Sequence, residues 1–175
     1  MYVLSIISFL LWAGFLLLAA MRFGVPAMMS DVYYQLQGCT GSEVVGDKNE
    51  RNYGWVFTAV MVTCAILMMV CMLDTGKGVQ FLAFIGCVGL MFVGFSPNYL
   101  DADDYPIHKV GALVAAAGCV GWCLSVCWVP TAVIALIYLL LVSCSDDDGE
   151  CNPSWYMAEV AGFLDVYITY WACAL

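Results

Sequence analysis

The sequence predicts an all-α, polytopic integral membrane protein with six transmembrane helices in one bundle and no separate soluble domain. Three observations predict it. Of 175 residues, 64% are hydrophobic and only 11% are charged, against about 25% charged in an ordinary soluble domain. Apolar runs of about 20 residues, the length of helix that crosses a bilayer core, recur along the chain. Polar turns and Gly/Pro breakers separate these runs.

The first span covers residues 1–21 and ends at Arg22 and the Gly24–Pro26 breaker. It has no basic n-region and no convincing cleavage site, so it reads as a helix that stays rather than a signal peptide. The second covers 53–73 and closes on Asp74-Thr75-Gly76-Lys77-Gly78; the third covers 79–95 and stops at Ser96-Pro97. The fourth, 106–125, opens on Pro106, whose missing N–H has no intrahelical partner at a helix start. From Ile107 to Cys144 the chain carries one internal charge, Lys109, near its start. That run is too long for one span and suits two, with a tight turn at Trp128-Val129-Pro130 and a fifth span over 128–144. A single kinked or re-entrant helix is the competing reading. The sixth span, 155–175, follows Asn152-Pro153-Ser154, with Trp155 and Tyr156 near one end and Tyr170 and Trp171 near the other, as interfacial aromatic belts require.

The net charge of −9 leaves no basic stripe for phosphates, which argues against nucleic-acid binding. Five Lys and Arg residues make no polybasic lipid patch. Of ten cysteines, Cys64, Cys71, Cys87, Cys119, Cys123, Cys127 and Cys173 fall inside spans, where a thiol behaves as a small hydrophobe. Cys39, Cys144 and Cys151 lie in or beside loops. With no CxxC pair and a single histidine, neither a zinc ribbon nor a three-His zinc centre is possible, and no metal or cofactor is expected.

Candidate chemistry gathers in the loops that join spans one to two and three to four. The first loop opens "MMSDVYYQLQG", placing Ser30, Asp31, Tyr33 and Tyr34 within five residues. On a helix, Ser30, Tyr33 and Tyr34 share one side and Asp31 lies off it, nearer Tyr34. The segment reads either as a polar lid over a pocket between the helices or as an interfacial half-helix with Ser30 as N-cap. The third loop, "SPNYLDADDYPIH", offers Asn98, Asp101, Asp103 and Asp104, but Tyr105 and Pro106 break any calcium-loop pattern, and a solvated acidic loop is the plain alternative. His108 enters the fourth span just beyond. A desolvated imidazole without a hydrogen bond costs about 1–3 kcal/mol, so a partner among Ser30, Asp31, Tyr33 and Tyr34 is expected.

Farther along, Gly111, Ala112, Ala115, Ala116, Gly118 and Gly121 make a small-residue face, with Gly86 and Gly89 of span three as its partner surface. Two acids fall inside span six. Glu159 lies about a turn from the interface. Asp165 lies nearer mid-span with Thr169 one turn further on the same face, and reads as a proton- or ion-handling group or as a hydrogen-bonded structural acid. Cys144 and Cys151 flank the acidic stretch "CSDDDGEC" and make a possible disulfide.

"SDVYY" after span one, "GWVF" opening span two, "GLMFVGFSP" closing span three and "IHKVGA" opening span four occur in sequence over roughly residues 1–128. This order resembles the uncharacterised six-helix prokaryotic membrane family called domain of unknown function 998, and more distantly the Frag1/DRAM-like membrane proteins. The resemblance implies six spans with a polar cluster of Ser30, Tyr33, Tyr34, Pro97 and His108 on the non-cytoplasmic side; it supplies no reaction. The loop face carries eleven of the fourteen acids and four of the five basic residues. A literal positive-inside count therefore places it in the cytoplasm, but its few basic residues are matched by acids in the same loops. Together with the resemblance, this puts the acidic face outside and both termini in the cytoplasm.

The function expected is that of a cell-membrane protein that binds a small molecule, lipid or ion in a polar pocket under loops one and three. Candidate ligand-binding residues are Ser30, Asp31, Tyr33, Tyr34, His108 and Asp165. A membrane-embedded hydrolase using Ser30, His108 and an aspartate, or an accessory subunit packed on a partner or a second copy through small-residue faces, are the alternatives.

Overall fold

The structure is a computed structural model that describes residues 1–37, 53–143 and 154–174; these form helices and connections, with no strand among the described residues. Among the described residues seven α-helices follow one another: α1 (Tyr2–Phe23), the short α2 (Asp31–Leu36), α3 (Gly54–Asp74), α4 (Gln80–Phe95), α5 (Tyr105–Val126), α6 (Trp128–Ser143) and α7 (Ser154–Thr169), which ends in a π-helical turn, Tyr170–Ala174. Three of them, α1, α3 and α5, are long and apolar enough to cross a membrane; α4 and α6 are shorter apolar helices.

The described connections fold successive helices back on one another, and α4 and α5 run antiparallel, Gly86 facing Gly118 and Gly89 facing Gly111. Gly24 ends α1 at φ 87, where a side chain would strain the backbone. Between α3 and α4, Gly76 and Gly78 both take positive φ, and the Thr75 hydroxyl bridges Met72 O (2.7 Å) and Lys77 N (3.1 Å). This turn is held against the far end of α5 by Trp122 Nε1–H donating to Lys77 O (3.2 Å) and Val79 N–H donating to Ser125 Oγ (2.9 Å). Between α5 and α6 the break is a single extended residue, Cys127 (φ −159, ψ 117), one position before the turn expected at Trp128-Val129-Pro130. Pro130 sits instead in the first turn of α6, where the missing N–H has no intrahelical acceptor to lose.

The glycine face forms as expected, using only part of the small-residue list. A Cβ on Gly86 would stand 2.6 Å from Cys119 N; on Gly89, 2.5 Å from Ala115 N; and on Gly118, 2.6 Å from Gly86 Cα. α4 and α5 therefore touch backbone to backbone, while Ala116 faces outward.

The opposite closure, α1 against α7, is made by large rings. Phe9, Trp12, Phe163, Tyr167 and Trp171 interlock, with Trp12 stacked on Phe163 at 5.1 Å. Ser8 and Tyr167 share a hydrogen bond (2.8 Å), and Trp171 Nε1–H donates to Ser5 Oγ (2.9 Å). Both serines are fully buried. Cys64, Cys71, Cys87 and Cys123 are buried free thiols in the core. α6 differs from all other long helices: none of its residues is buried, and Leu136, Leu139, Leu140 and Leu141 are exposed.

Candidate functional site

The candidate site is where the segment after α1, the helix α2 and the connection 96–104 meet above α5. The turn that opens α2 is anchored by two acids. Consecutive backbone amides each find a carboxylate: Met28 N–H donates to Asp31 Oδ2 (2.9 Å) and Met29 N–H to Glu159 Oε2 of α7 (2.5 Å). Both amides precede the N-cap Ser30 and so have no intrahelical acceptor, and the two carboxylates supply one. An orphan amide of α7 is used in return, as Tyr156 N–H donates to Ala27 O (3.0 Å). Ser30 is buried and makes no side-chain cap bond; Asp31, not Ser30, secures the turn.

Asp31 has a second partner in Tyr99, whose hydroxyl donates to Oδ1. Tyr34 donates to Asn98 Oδ1 (3.0 Å) and accepts from Leu100 N–H (2.8 Å). The two phenols lie edge to face at 5.3 Å, and the Tyr99 ring lies 5.3 Å from that of His108. Burial raises both phenols above the ordinary tyrosine range; for Tyr99 the adjacent Asp31 carboxylate raises it further. Both therefore stay hydroxyl donors at any physiological pH.

His108 is buried, and its Nδ1 lies 2.7 Å from Ser96 O. A carbonyl only accepts, so Nδ1 carries the proton and the neutral ring has its lone pair on Nε2. The ring was expected to bond a hydroxyl or carboxylate of loop one. It bonds a backbone carbonyl of the 96–104 connection instead, and meets loop one only through Tyr99. The reason is geometric: α4 and α5 are so close that the end of α4 presents its free carbonyl directly to α5, nearer than any side chain of loop one.

Tyr33 stands at the side of this knot, its ring edge to face with that of Tyr34 at 5.3 Å. Its ring abuts Phe57 (6.3 Å) and covers Gly54, whose added Cβ would stand 2.6 Å from Tyr33 Cε2. It forms one wall of an open cleft of about 530 Å³ shared with Trp55, Thr58, Phe95, Pro97, Asn98 and Asp104. The structure thus brings Asp31, Tyr34 and His108 into one polar knot through Tyr99 and places Tyr33 in the neighbouring cleft. Ser30 sits buried at the knot's edge.

Asp165 is elsewhere. It is buried lower in α7, where Oδ1 accepts from Thr131 Oγ1 (3.1 Å) and Thr169 Oγ1 (3.2 Å), with the Cys123 thiol also against it. The same-face relation to Thr169 holds; Thr131, from α6, was not foreseen. Cys144 and Cys151 lie outside the described residues, as does Cys39.

Sequence reasoning missed Tyr99, Ser96 and the anchoring role of Glu159. A tyrosine one residue from Asn98, in a short connection facing an acidic loop, was the available signal for Tyr99. No signal marked Ser96, because only its backbone is used. Among the described residues, no three His, Cys, Asp or Glu side chains gather as a metal set. No known protein family, curated protein or solved structure matches the chain.

Proposed function

We propose that the chain is a six-span integral membrane protein, acidic face outward and both termini cytoplasmic, that binds an amphiphilic small molecule or lipid in the cleft beside α2. The cleft carries the binding half of this reading. At about 530 Å³ it has the size of a small-molecule site, and it joins apolar walls (Trp55, Phe95) to polar ones (Tyr33, Thr58, Asn98, Asp104) at one end of the bundle. The knot of Asp31, Tyr34, Tyr99 and His108 is its support: the Tyr99–Asp31, Tyr34–Asn98 and Leu100–Tyr34 hydrogen bonds fix the 96–104 connection relative to α2. Large apolar side chains exposed along α1, α5 and α6 support the membrane half, since such surfaces ask for acyl chains rather than water.

A hydrolase built on Ser30 and His108 finds less support, because the bond that His108 makes is to Ser96 O through Nδ1, and no hydrogen bond joins its ring to Ser30 among the described residues. α6 favours a subsidiary role as a contact face for a partner helix or second copy: it is apolar, without a buried residue, and forms with α7 a groove of about 270 Å³ lined by apolar side chains and two tyrosines.

Two measurements test the proposal. Cysteines introduced at Asp103 and Lys77 should label with an impermeant thiol reagent from opposite sides of the bilayer; labelling from one side defeats the six-span topology. A photoreactive alkyl amphiphile should crosslink to Trp55, Phe95 or Pro97, and Thr58→Trp, which fills the cleft, should abolish that adduct. Crosslinks confined to α6 and indifferent to Thr58→Trp would remove the cleft as the binding site.

A further inference from the structure

We infer that the cleft selects a cationic head group, a quaternary or protonated amine, on its amphiphilic ligand; this deepens the reading of the cleft as an amphiphile site and rests on it. Three aromatic rings, Tyr33, Trp55 and Phe95, line the cleft with one carboxylate, Asp104, and among the described residues no basic side chain lines it. Aromatic faces carry the negative end of the ring quadrupole and attract ammonium groups within about 6 Å, and recognition of alkylammonium by ring cages is the established use of that attraction.

Asp104 strengthens the case. It occupies the N-cap position of α5, where an aspartate ordinarily bonds the first helical amides, yet it makes no side-chain cap bond. Asp104 lines the cleft, and its carboxylate is not spent on the helix start. Asp101 and Asp103 stand exposed on the same connection, and the whole chain carries −9, so the local potential gathers cations and repels anions. An anionic head group entering the cleft would meet the Asp104 carboxylate and, among the described residues that line it, only neutral donors: the Tyr33 and Thr58 hydroxyls, the Trp55 indole and the Asn98 amide.

The same end of the molecule already displays the interaction. The Lys109 ammonium lies 5.6 Å from the centroid of the Tyr105 ring, outside the cleft. Trp55 and Phe95 are each 66% exposed, so their rings stand open to an incoming ligand. An alkylammonium head can seat between the rings while its chain lies along the outer surface of α3 and α4.

The ammonium could belong to a membrane lipid head group or to a soluble amphiphilic amine, and the experiment separates these. The full chain, purified in a neutral maltoside, is titrated with dodecyltrimethylammonium, dodecylphosphocholine, dodecyl phosphate and choline. Binding is read as the change in tryptophan fluorescence that Trp55→Leu removes. Dodecyltrimethylammonium should bind at least about tenfold more tightly than dodecyl phosphate, a difference of about 1.4 kcal/mol. Asp104→Asn should weaken the cation about five- to tenfold without weakening the phosphate. Competition by dodecylphosphocholine and not by choline assigns the site to a lipid head group, and competition by choline assigns it to a soluble amine; both support the inference. Equal affinity for the two charged heads, or indifference to Asp104→Asn, overturns cation selection while leaving the amphiphile site standing. Absence of any response sensitive to Trp55→Leu overturns both.

Discussion

Gly118→Ala is the most informative single change, because one methyl group tests the seam that presents His108 to Ser96. A Cβ at Gly118 would lie 2.6 Å from both Gly86 Cα and Gly86 N, and 2.9 Å from Leu82 O. All three are backbone atoms of α4, so no side chain can swing aside. Restoring ordinary contact at about 3.4 Å requires the helices to part by about 0.8 Å, and the Gly89–Ala115 and Gly111–Gly89 contacts open with them. Overpacking of this kind costs about 3 kcal/mol at the upper end of its usual range. Alanine returns about 1 kcal/mol through its better helix propensity. The net loss is about 2 kcal/mol, an increase of about thirtyfold in the unfolding equilibrium constant. Gly14→Ala is the matched control: nothing lies within 4 Å of its Cβ, so the same substitution keeps only the propensity gain. Both are measured by equilibrium unfolding in mixed maltoside and dodecyl sulfate micelles. If Gly118→Ala is as stable as Gly14→Ala, the backbone contact between α4 and α5 is not what holds the seam.

Other perturbations give separable outcomes. Glu159→Ala should cost about 1.5–3 kcal/mol, because it leaves the Met29 amide without its carboxylate, whereas Glu159→Gln should recover part of that loss in the same unfolding assay. Stability should fall as pH rises above about 10, since the raised phenols of Tyr34 and Tyr99 bind their protons more tightly folded than unfolded; Tyr99→Phe should reduce that alkaline slope, and an unchanged slope would show that Tyr99 is not buried beside Asp31. Thr131→Val should raise hydrogen exchange in α6 while leaving α4 and α5 unaffected, because the Asp165 bond is one of few polar ties on a helix with no buried residue.

The helices were legible in the sequence because their signals are local. Apolar runs bounded by Gly, Pro and charge gave every long helix to within a residue or two, apart from the last, which leaves the α-helical path at Thr169 for a π-helical turn. The glycine face was legible for the same reason: spacing along one strand of sequence predicts a flat surface, and Gly86 and Gly89 supplied its mate. The candidate site was half legible. Asp31, Tyr34 and His108 do gather at one end, but the residue that joins them, Tyr99, acts through contacts 68 residues away in sequence, which no local pattern encodes. The partner of His108 was illegible in a stricter sense, since a backbone carbonyl carries no side-chain signature and any residue at position 96 could supply it.

The aromatic closure between α1 and α7 sets the order in which the molecule can be completed during synthesis. Its hydrogen bonds join residues 159 and 166 positions apart, close to the largest separations the described chain allows. Until α7 emerges, Ser5 and Ser8 have no tyrosine or indole to meet, and Trp12 lacks the Phe163 ring that covers it. α1, α3, α4, α5 and α6 can associate in pairs as they appear, each beside its predecessor, but the bundle stays open on the side of α1. A chain halted before α7 would keep the Ser5–Tyr2 and Ser8–Cys64 bonds but leave the Trp12 ring uncovered on α1, the kind of apolar surface that chaperones read as unfinished. The closure of α1 therefore waits on α7, whatever order the other helix pairs follow.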